Sequence, residues 1–267
     1  MQWLNYGLYL MPDTYPHETP HFDRIKWGGG TALLARWTED FDCDEETQFW
    51  WIIMDRPFDI SELKAKRRYE INKGNKNFYV KVIRPSEFKD ELYDVHMESL
   101  KGYEHPQFVS REIFYKKIEI WENCSNCIFF GVFSKTGDRL CGYSDVYDNG
   151  KYIPISSLKT RVSCERDNVN FALVNGIVDH FAEKVKNGSY LCDGSRNVLH
   201  DTNFQNFLIK YFGFRKAYCN LKIRYRGVMK ILFPLLFLFR NKIKKIPRLK
   251  SLYAVLRLHA WSKGIEG

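Results

Sequence analysis

The tripeptide Asp148-Asn149-Gly150 stands between two runs rich in apolar, aromatic and β-branched residues, 139–147 and 151–162. Asn-Gly readily takes the left-handed backbone of a tight hairpin turn, so the two runs are predicted as adjacent antiparallel strands. Upstream, 128–134 joins the first of them through Lys135-Thr-Gly-Asp138, which extends the pair to a three-strand meander. Downstream, apolar side chains recur at helical spacing at Phe171, Leu173, Val174, Ile177, Val178, Phe181 and Val185, and Gly188 closes the pattern. That spacing predicts a helix over 169–186. A short strand at 190–192, a helix from about Asp201 to Tyr211 closed by Gly213, and a strand pair within 214–226 follow. Strands and helices mixed in this order imply an α+β or mixed α/β domain.

The first half is less sharply patterned. Residues 1–30, rich in Pro, Gly, Trp and His, read as an irregular lead-in ending at Gly28-Gly29-Gly30. Strands are predicted at 32–37 and 49–54, around an acidic turn at 39–46. Asp59 or Ser61 caps a basic helix that runs to about Lys73 and stops at Gly74. A strand at 78–83 and helices at 86–100 and 110–122 complete the series. No repeat of 20–50 residues is present, which excludes solenoids and propellers. The expected division is a lead-in with its strands at 1–58, a main domain at 59–226 and a basic tail at 227–267.

With 45% apolar residues among 267, the chain can close one or two cores and is not a disordered polymer. Its net charge of +9 invites a nucleic-acid reading, but the charge is local. From Lys222 onward twelve Lys and Arg face a single acid, Glu266; the first 221 residues carry 29 basic against 31 acidic side chains. The body is therefore slightly acidic and the tail carries +11. Within the tail, the bulky run 228–239 is followed by Arg240, Lys242, Lys244, Lys245, Arg248 and Lys250. Either this pair docks on an anionic membrane surface, or the same segments pack on protein and leave the cations in water. The run is too short for a bilayer span. The Met1-Gln-Trp-Leu start has neither the positive charge nor the apolar stretch of a secretory signal. Seven dispersed cysteines fit reduced thiols in a cytoplasmic protein, and Cys124-Ser-Asn-Cys127 lacks the further ligands a zinc site needs. No metal is expected.

Three segments carry a family resemblance. Ser61-Glu-Leu-Lys-Ala-Lys-Arg-Arg-Tyr-Glu-Ile-Asn-Lys-Gly74 with the strand after it, Asn170-Phe-Ala-Leu-Val-Asn-Gly-Ile-Val-Asp-His-Phe-Ala182, and Cys192-Asp-Gly-Ser-Arg196 with Asn203-Phe-Gln-Asn-Phe-Leu-Ile-Lys-Tyr-Phe-Gly-Phe214 together resemble the GNAT acyltransferase superfamily. Within it they are similar to the branch of the Fem-type peptidoglycan-bridge aminoacyltransferases. The match covers about residues 60–226. It implies a GNAT-like fold, a central mixed sheet flanked by helices, with 1–58 read as part of a degenerate first lobe. It also implies an acyl-CoA donor such as acetyl-CoA and transfer to an amine of a cell-envelope glycan precursor, small or lipid-linked. One departure is plain: where such transferases place a glycine-rich pyrophosphate loop, this chain has Thr160-Arg-Val-Ser-Cys-Glu-Arg-Asp-Asn168, with no glycine and two carboxylates.

In the fold so implied, the acyl group lies where two central strands splay apart. Asp193, Ser195, Arg196, His200, Asp201 and Asn203 crowd the end of the second of them, with His200 a candidate base and Asp193 a candidate to orient the acceptor. The competing reading makes Asp201 and Thr202 helix caps and Gly194 and Asn197 an ordinary turn. Tyr143 and Asp145 share one strand face, either lining the acceptor cleft or facing solvent. Arg67, Arg68 and Lys73, with Arg161 and Arg166, are phosphate-binding candidates; a solvated basic helix face is the alternative. The near-neutral body disfavours tRNA and no DNA contact is expected. The whole reads as a cytoplasmic acyltransferase, peripheral on the inner face of a membrane; a Fem-like aminoacyl-tRNA-dependent transferase and a non-catalytic binding module of the same fold are the alternatives.

Overall fold

In a computed structural model the chain forms β1 (Trp3–Asn5), β2 (Tyr9–Pro12), β3 (Leu34–Glu39), β4 (Phe49–Met54), α1 (Ala65–Asn77), β5 (Phe78–Val82), α2 (Lys89–Ser99), α3 (Arg111–Asn123), β6 (Cys127–Ser134), β7 (Leu140–Tyr147), β8 (Tyr152–Thr160), α4 (Val169–Lys186), β9 (Tyr190–Ser195), α5 (Asn203–Phe212), β10 (Arg215–Tyr225), α6 (Met229–Phe237), α7 (Arg240–Ile243) and α8 (Lys250–Ser262). The structure describes residues 2–266 apart from 22, 23, 29, 103–105 and 199–202. It is a mixed α/β fold of two compact units. Unit 1 gathers residues 1–52, 195–203 and 216–267, and unit 2 gathers 53–194 and 204–215.

Unit 2 holds the meander. β5, β6, β7 and β8 pair antiparallel in that order, and β9 adds in parallel to β8. The expected hairpin forms, with its tight turn one residue later, at Gly150-Lys151: Asn149 bridges to Tyr152, and of the Asn-Gly pair only Gly150, at φ +74°, takes a positive φ. α2 and α3 cover one face through a core of Leu92, Val95, Phe114, Ile118, Trp121, Phe129, Phe133 and Tyr143. α4 covers the other, burying Ala172, Leu173, Ile177, Val178, Phe181 and Val185, the stripe read from its spacing. Each such side chain stabilises the unit by about 1.5–3 kcal/mol when fully buried.

Gly74 does not end its helix. α1 continues to Asn77 because Gly74 is a point of close approach: a Cβ there would lie 2.6 Å from the Asn168 carbonyl at the start of α4. Asn168 itself takes a left-handed conformation at φ 65° and donates from Nδ2 to the Glu70 carbonyl and carboxylate, at 2.9 and 2.7 Å, which ties the start of α4 to α1.

Unit 1 departs further from expectation. The lead-in contains two strands; β1 and β2 pair antiparallel and β2 runs parallel to β3. The strand pair expected within 214–226 is one long strand, β10, whose antiparallel partner is β3, far back in the chain. The order within the unit is β1-β2-β3-β10-β4. The tail helices lie on one face of this sheet. Phe233, Ile243, Val255 and Leu256 pack with Leu34 and Tyr225, while Leu258 and Trp261 pack with Phe49, Cys219 and Leu221. No described helix is long and apolar enough to cross a membrane.

Candidate active-site cleft

β8 and β9 hold register through Tyr152↔Tyr190, Ile153↔Leu191 and Pro154↔Cys192, and pairing ends there. Pro154 has no N–H to offer the ladder, and β9 turns away at Gly194, whose φ of +90° suits glycine alone. Beyond that point the edge of β8 lacks its neighbour. A second irregularity lies in the same stretch: the β7–β8 register passes from Asp145↔Ser157 to Val146↔Ile155 and skips Ser156, a β-bulge. The result is a cleft of about 300 Å³ within unit 2, lined by residues 155–160 of β8, Asp193, Phe204 at the start of α5, Asn170 in α4, Glu165 and Ser99.

Asp193 is the cleft's perturbed group. Burial pushes its carboxyl up to about 7, against the opposing effect of a hydrogen bond with Gln205. A carboxyl poised there exchanges a proton near neutral pH, the property wanted of a general base. Asp145, by contrast, is 2% exposed and lies behind the cleft wall, accepting from Trp121 Nε1 at 3.2 Å and from the hydroxyl of Ser157. It reaches the cleft only through Ser157, which it orients.

The other sequence candidates are placed as follows. Tyr143 lies in the core, 1% exposed, stacked on Phe129, with its hydroxyl 3.2 Å from His96 Nδ1. It does not line the cleft, because its strand face is the one covered by α2 and α3. Burial, with Lys159 and Lys117, drops His96 to about 4, so its ring is neutral. The guanidinium of Arg161 is committed inside the fold, donating to Glu98 at 2.8 Å and to the Leu140 carbonyl at 2.9 Å. Arg67 donates to the carbonyl of Lys210, Arg68 to those of Ser61 and Leu63, and Lys73 to that of Arg166. These three cations thus tether loops and a helix end, and all three stay half-exposed. Arg166 itself is exposed.

Three candidates belong to unit 1. Arg196 donates to the Gln48 carbonyl at 2.7 Å and sits between the rings of Trp50 and Trp261, 4.2 and 4.1 Å from their centroids. Ser195 borders a small cavity of the same unit, and Asn203 is exposed. His200 lies outside the described residues, as do Asp201 and Thr202.

The turn before α4 bears on the donor. Residues 162–167 form a short 3₁₀ segment without glycine, Glu165 lines the cleft, and the one buried guanidinium of the turn is held by Glu98. Two carboxylates and a committed arginine do not fit a coenzyme A pyrophosphate at this turn. No group of three His, Cys, Asp or Glu suited to a metal occurs among the described residues.

Ser99, Asn170 and Gln205 were not singled out in the sequence as site residues. One signal of the cleft was there: Ser156-Ser157 interrupts the apolar alternation Ile153, Ile155 at the bulge.

No protein-family model matches the chain, and no curated protein matches it. Among solved structures it is similar to L-PGS from Bacillus licheniformis, at 14% identity and a TM-score of 0.49 over 78% of this chain and 66% of that one. It is also similar to the C-terminal domain of a putative lysylphosphatidylglycerol synthetase from Agrobacterium fabrum, at 13% identity and a TM-score of 0.44, covering 77% and 66%. An acetyltransferase from Trypanosoma brucei is matched at 15% identity and a TM-score of 0.37, over 53% of this chain and 95% of that one. The chain spans 66% of the length of each of the first two structures.

Proposed function

We propose that the chain is an acyltransferase that moves an acyl or aminoacyl group from an activated ester or thioester to an amine of a cell-envelope glycan or similar precursor. The observation that carries this reading is the parting of β8 from β9 after Pro154, which gathers an unpaired strand edge, a bulge and the Asp193 carboxyl around one cleft. The amine nitrogen attacks the acyl carbonyl carbon. A C–N bond forms, the C–O or C–S bond breaks, and the leaving alkoxide or thiolate takes up a proton. The surplus proton of the amine goes to Asp193. Negative charge gathers on the carbonyl oxygen, and backbone N–H groups of the free β8 edge are the donors suited to it, since such donors need no reorganisation during reaction. Asp145 is a positioning residue for Ser157 in this scheme. No step is assigned to a phosphate-binding loop.

The test incubates the full chain with glucosamine and, in separate arms, radiolabelled acetyl-CoA, a longer acyl-CoA or a charged tRNA. Amide product is expected in one arm, at a rate rising as pH passes through about 7, where Asp193 ionises. Absence of product in every arm, together with absence of calorimetric binding, refutes the reading.

The tail supports placement on the inner face of an anionic membrane. One side of α6 is buried through Phe233, whereas Val228, Ile231, Leu235 and Leu238 are 68, 67, 54 and 72% exposed at three- and four-residue spacing. Six cations follow within residues 240–250, each contributing about 1 kcal/mol near an anionic surface. Vesicles of phosphatidylglycerol are expected to float the full chain, and Ile231→Glu with Leu238→Glu to abolish flotation. These exposed positions are the right ones to change, because truncation would remove core residues Phe233, Val255 and Leu256. Equal flotation of the two proteins, or none of either, excludes docking through this face.

A further inference from the structure

Two thiols of unit 2 lie side by side. Cys141, near the start of β7, is 1% exposed, and Cys164, in the 3₁₀ segment before α4, is half-buried. Two backbone hydrogen bonds bring them together: the Arg161 N–H donates to the Cys141 carbonyl at 2.8 Å, and the Cys164 N–H donates to the Arg161 carbonyl at 3.0 Å. The Cys141 S–H donates to the Arg139 carbonyl at 3.3 Å. Burial, and then a hydrogen bond between the two cysteine side chains, push the Cys141 thiol up to about 12. Both cysteines border one cavity of about 440 Å³, whose lining carries Lys76, Lys135 and Arg139 against one carboxylate, Asp167. The other close pair in the sequence is looser, since Cys124 acts on Cys127 through charge alone.

Thiols in contact need only small shifts to reach bonding distance, and residues 162–167, none of them buried, can supply the shift. We infer that Cys141 and Cys164 are a redox pair, with Cys164 the point of attack on a small anionic disulfide entering this cavity and Cys141 the resolving thiol. The order follows from access: Cys164 is the half-buried member, whereas Cys141 is sealed in the core. The thiolate of Cys164 attacks one sulfur of the small disulfide. A new S–S bond forms, the old one breaks, and the first small thiolate leaves and takes up a proton. Cys141 then attacks the Cys164 sulfur, and its proton goes to the second small thiolate as that departs. The protein pair loses two electrons and two protons, and the small disulfide becomes two thiols. Three cations against one carboxylate favour an anionic reagent over a cationic one. The link would pin to β7 the segment that carries Glu165 into the cleft. The chemistry of the pair does not draw on the transfer reaction proposed above.

Oxidised glutathione is the probe and cystamine the cationic comparison. The folded full chain is treated with each, quenched with iodoacetamide at intervals, digested and mapped by mass spectrometry. An adduct of glutathione on Cys164 is expected first, followed by a Cys141–Cys164 cross-link that dithiothreitol reverses. Cys164→Ser should give neither product. Cys141→Ala, which keeps a small apolar side chain in the core, should stop at the adduct. With each rate divided by that of the urea-unfolded chain, so that the reagents' own reactivities cancel, glutathione should be favoured several-fold at low salt and less at high salt. The inference is overturned if the folded chain never yields the Cys141–Cys164 cross-link, if Cys124–Cys127 is linked in preference, or if the corrected rates favour cystamine.

Discussion

At pH 8 the Asp193→Asn variant is expected to melt several degrees above the unaltered protein, to lose that advantage near pH 3, and to transfer acyl groups far more slowly. The carboxyl is pushed from its ordinary 3.8 up to about 7 by burial. A raised acid pKa means that the folded state binds the proton more tightly than the unfolded chain does. Stability therefore falls as pH climbs from about 4 to about 7, and the full penalty stands above 7. Below 4 both states are protonated and the variant gains nothing. The shift converts to about 4 kcal/mol at most; Asn resembles the protonated acid and recovers part of it. At about 2–4 °C per kcal/mol for a chain of this size, the gain is measurable by calorimetry across a pH series. Activity should drop by about 10²–10⁴, the range for removing a general base. A melting gap independent of pH rejects the perturbed carboxyl, and undiminished transfer rejects its catalytic role; the two outcomes are separable.

The second large effect is opposite in sign. Glu98→Ala should lower the melting temperature by several degrees at neutral pH. Glu98 accepts from Arg161 Nη1 at 2.8 Å, Ser163 N at 3.1 Å and Ser163 Oγ at 2.6 Å. Burial alone would raise its pKa, but the Ser163 hydroxyl and the Arg161 guanidinium outweigh burial and hold it down at about 2. A depressed acid pKa stabilises above the unfolded value near 4.5, and that contribution is lost as pH falls toward 2. Removing the carboxylate leaves Arg161, whose side chain is 9% exposed, buried without its partner. Breaking a buried pair costs about 3–5 kcal/mol; with Glu98 itself 18% exposed, the lower end applies. Glu98→Gln, which keeps an acceptor, should lose less. Melting curves of the three proteins at pH 7 and pH 3 check this: the gap should be widest at pH 7, and a change under a degree at pH 7 refutes the role. Because Ser163 belongs to the turn that carries Glu165 into the cleft, the alanine variant should also weaken acceptor binding.

Much of unit 2 was legible because its interactions are local in sequence. The turn at Gly150 fixes one hairpin by backbone conformation, and the stripe on α4 names its own buried face. Asp193 is a candidate by the position of its strand end, and the structure sets it on the cleft wall; its proximity to Gln205 and its burial have no sequence signature. Other features depend on partners far along the chain. Arg67, Arg68, Lys73 and Arg161 carry the charge of phosphate ligands, yet their partners are backbone carbonyls and a carboxylate up to 143 residues away. Gly74 looks like a helix terminator until the carbonyl of Asn168 is seen against it. Tyr143 alternates with Asp145 as a cleft pair would, but alternation cannot say which face the helices cover. The expected division at 58 and 226 follows chain order, whereas the compact units interleave distant stretches, and pairings such as β3 with β10 leave no local mark.

That interleaving has a consequence for synthesis. During synthesis β3 is made long before β10, its antiparallel partner, and the face they share is closed later still by tail residues such as Phe233, Val255, Leu256, Leu258 and Trp261. Most of unit 2 lies between them as one stretch and has its meander and α4 in hand long before. β3 must therefore wait, with its edge unpaired, until β10 has been made. Slow closure of distant contacts thus falls on β3, and it is there that a nascent chain of this protein most needs protection from pairing with a neighbour.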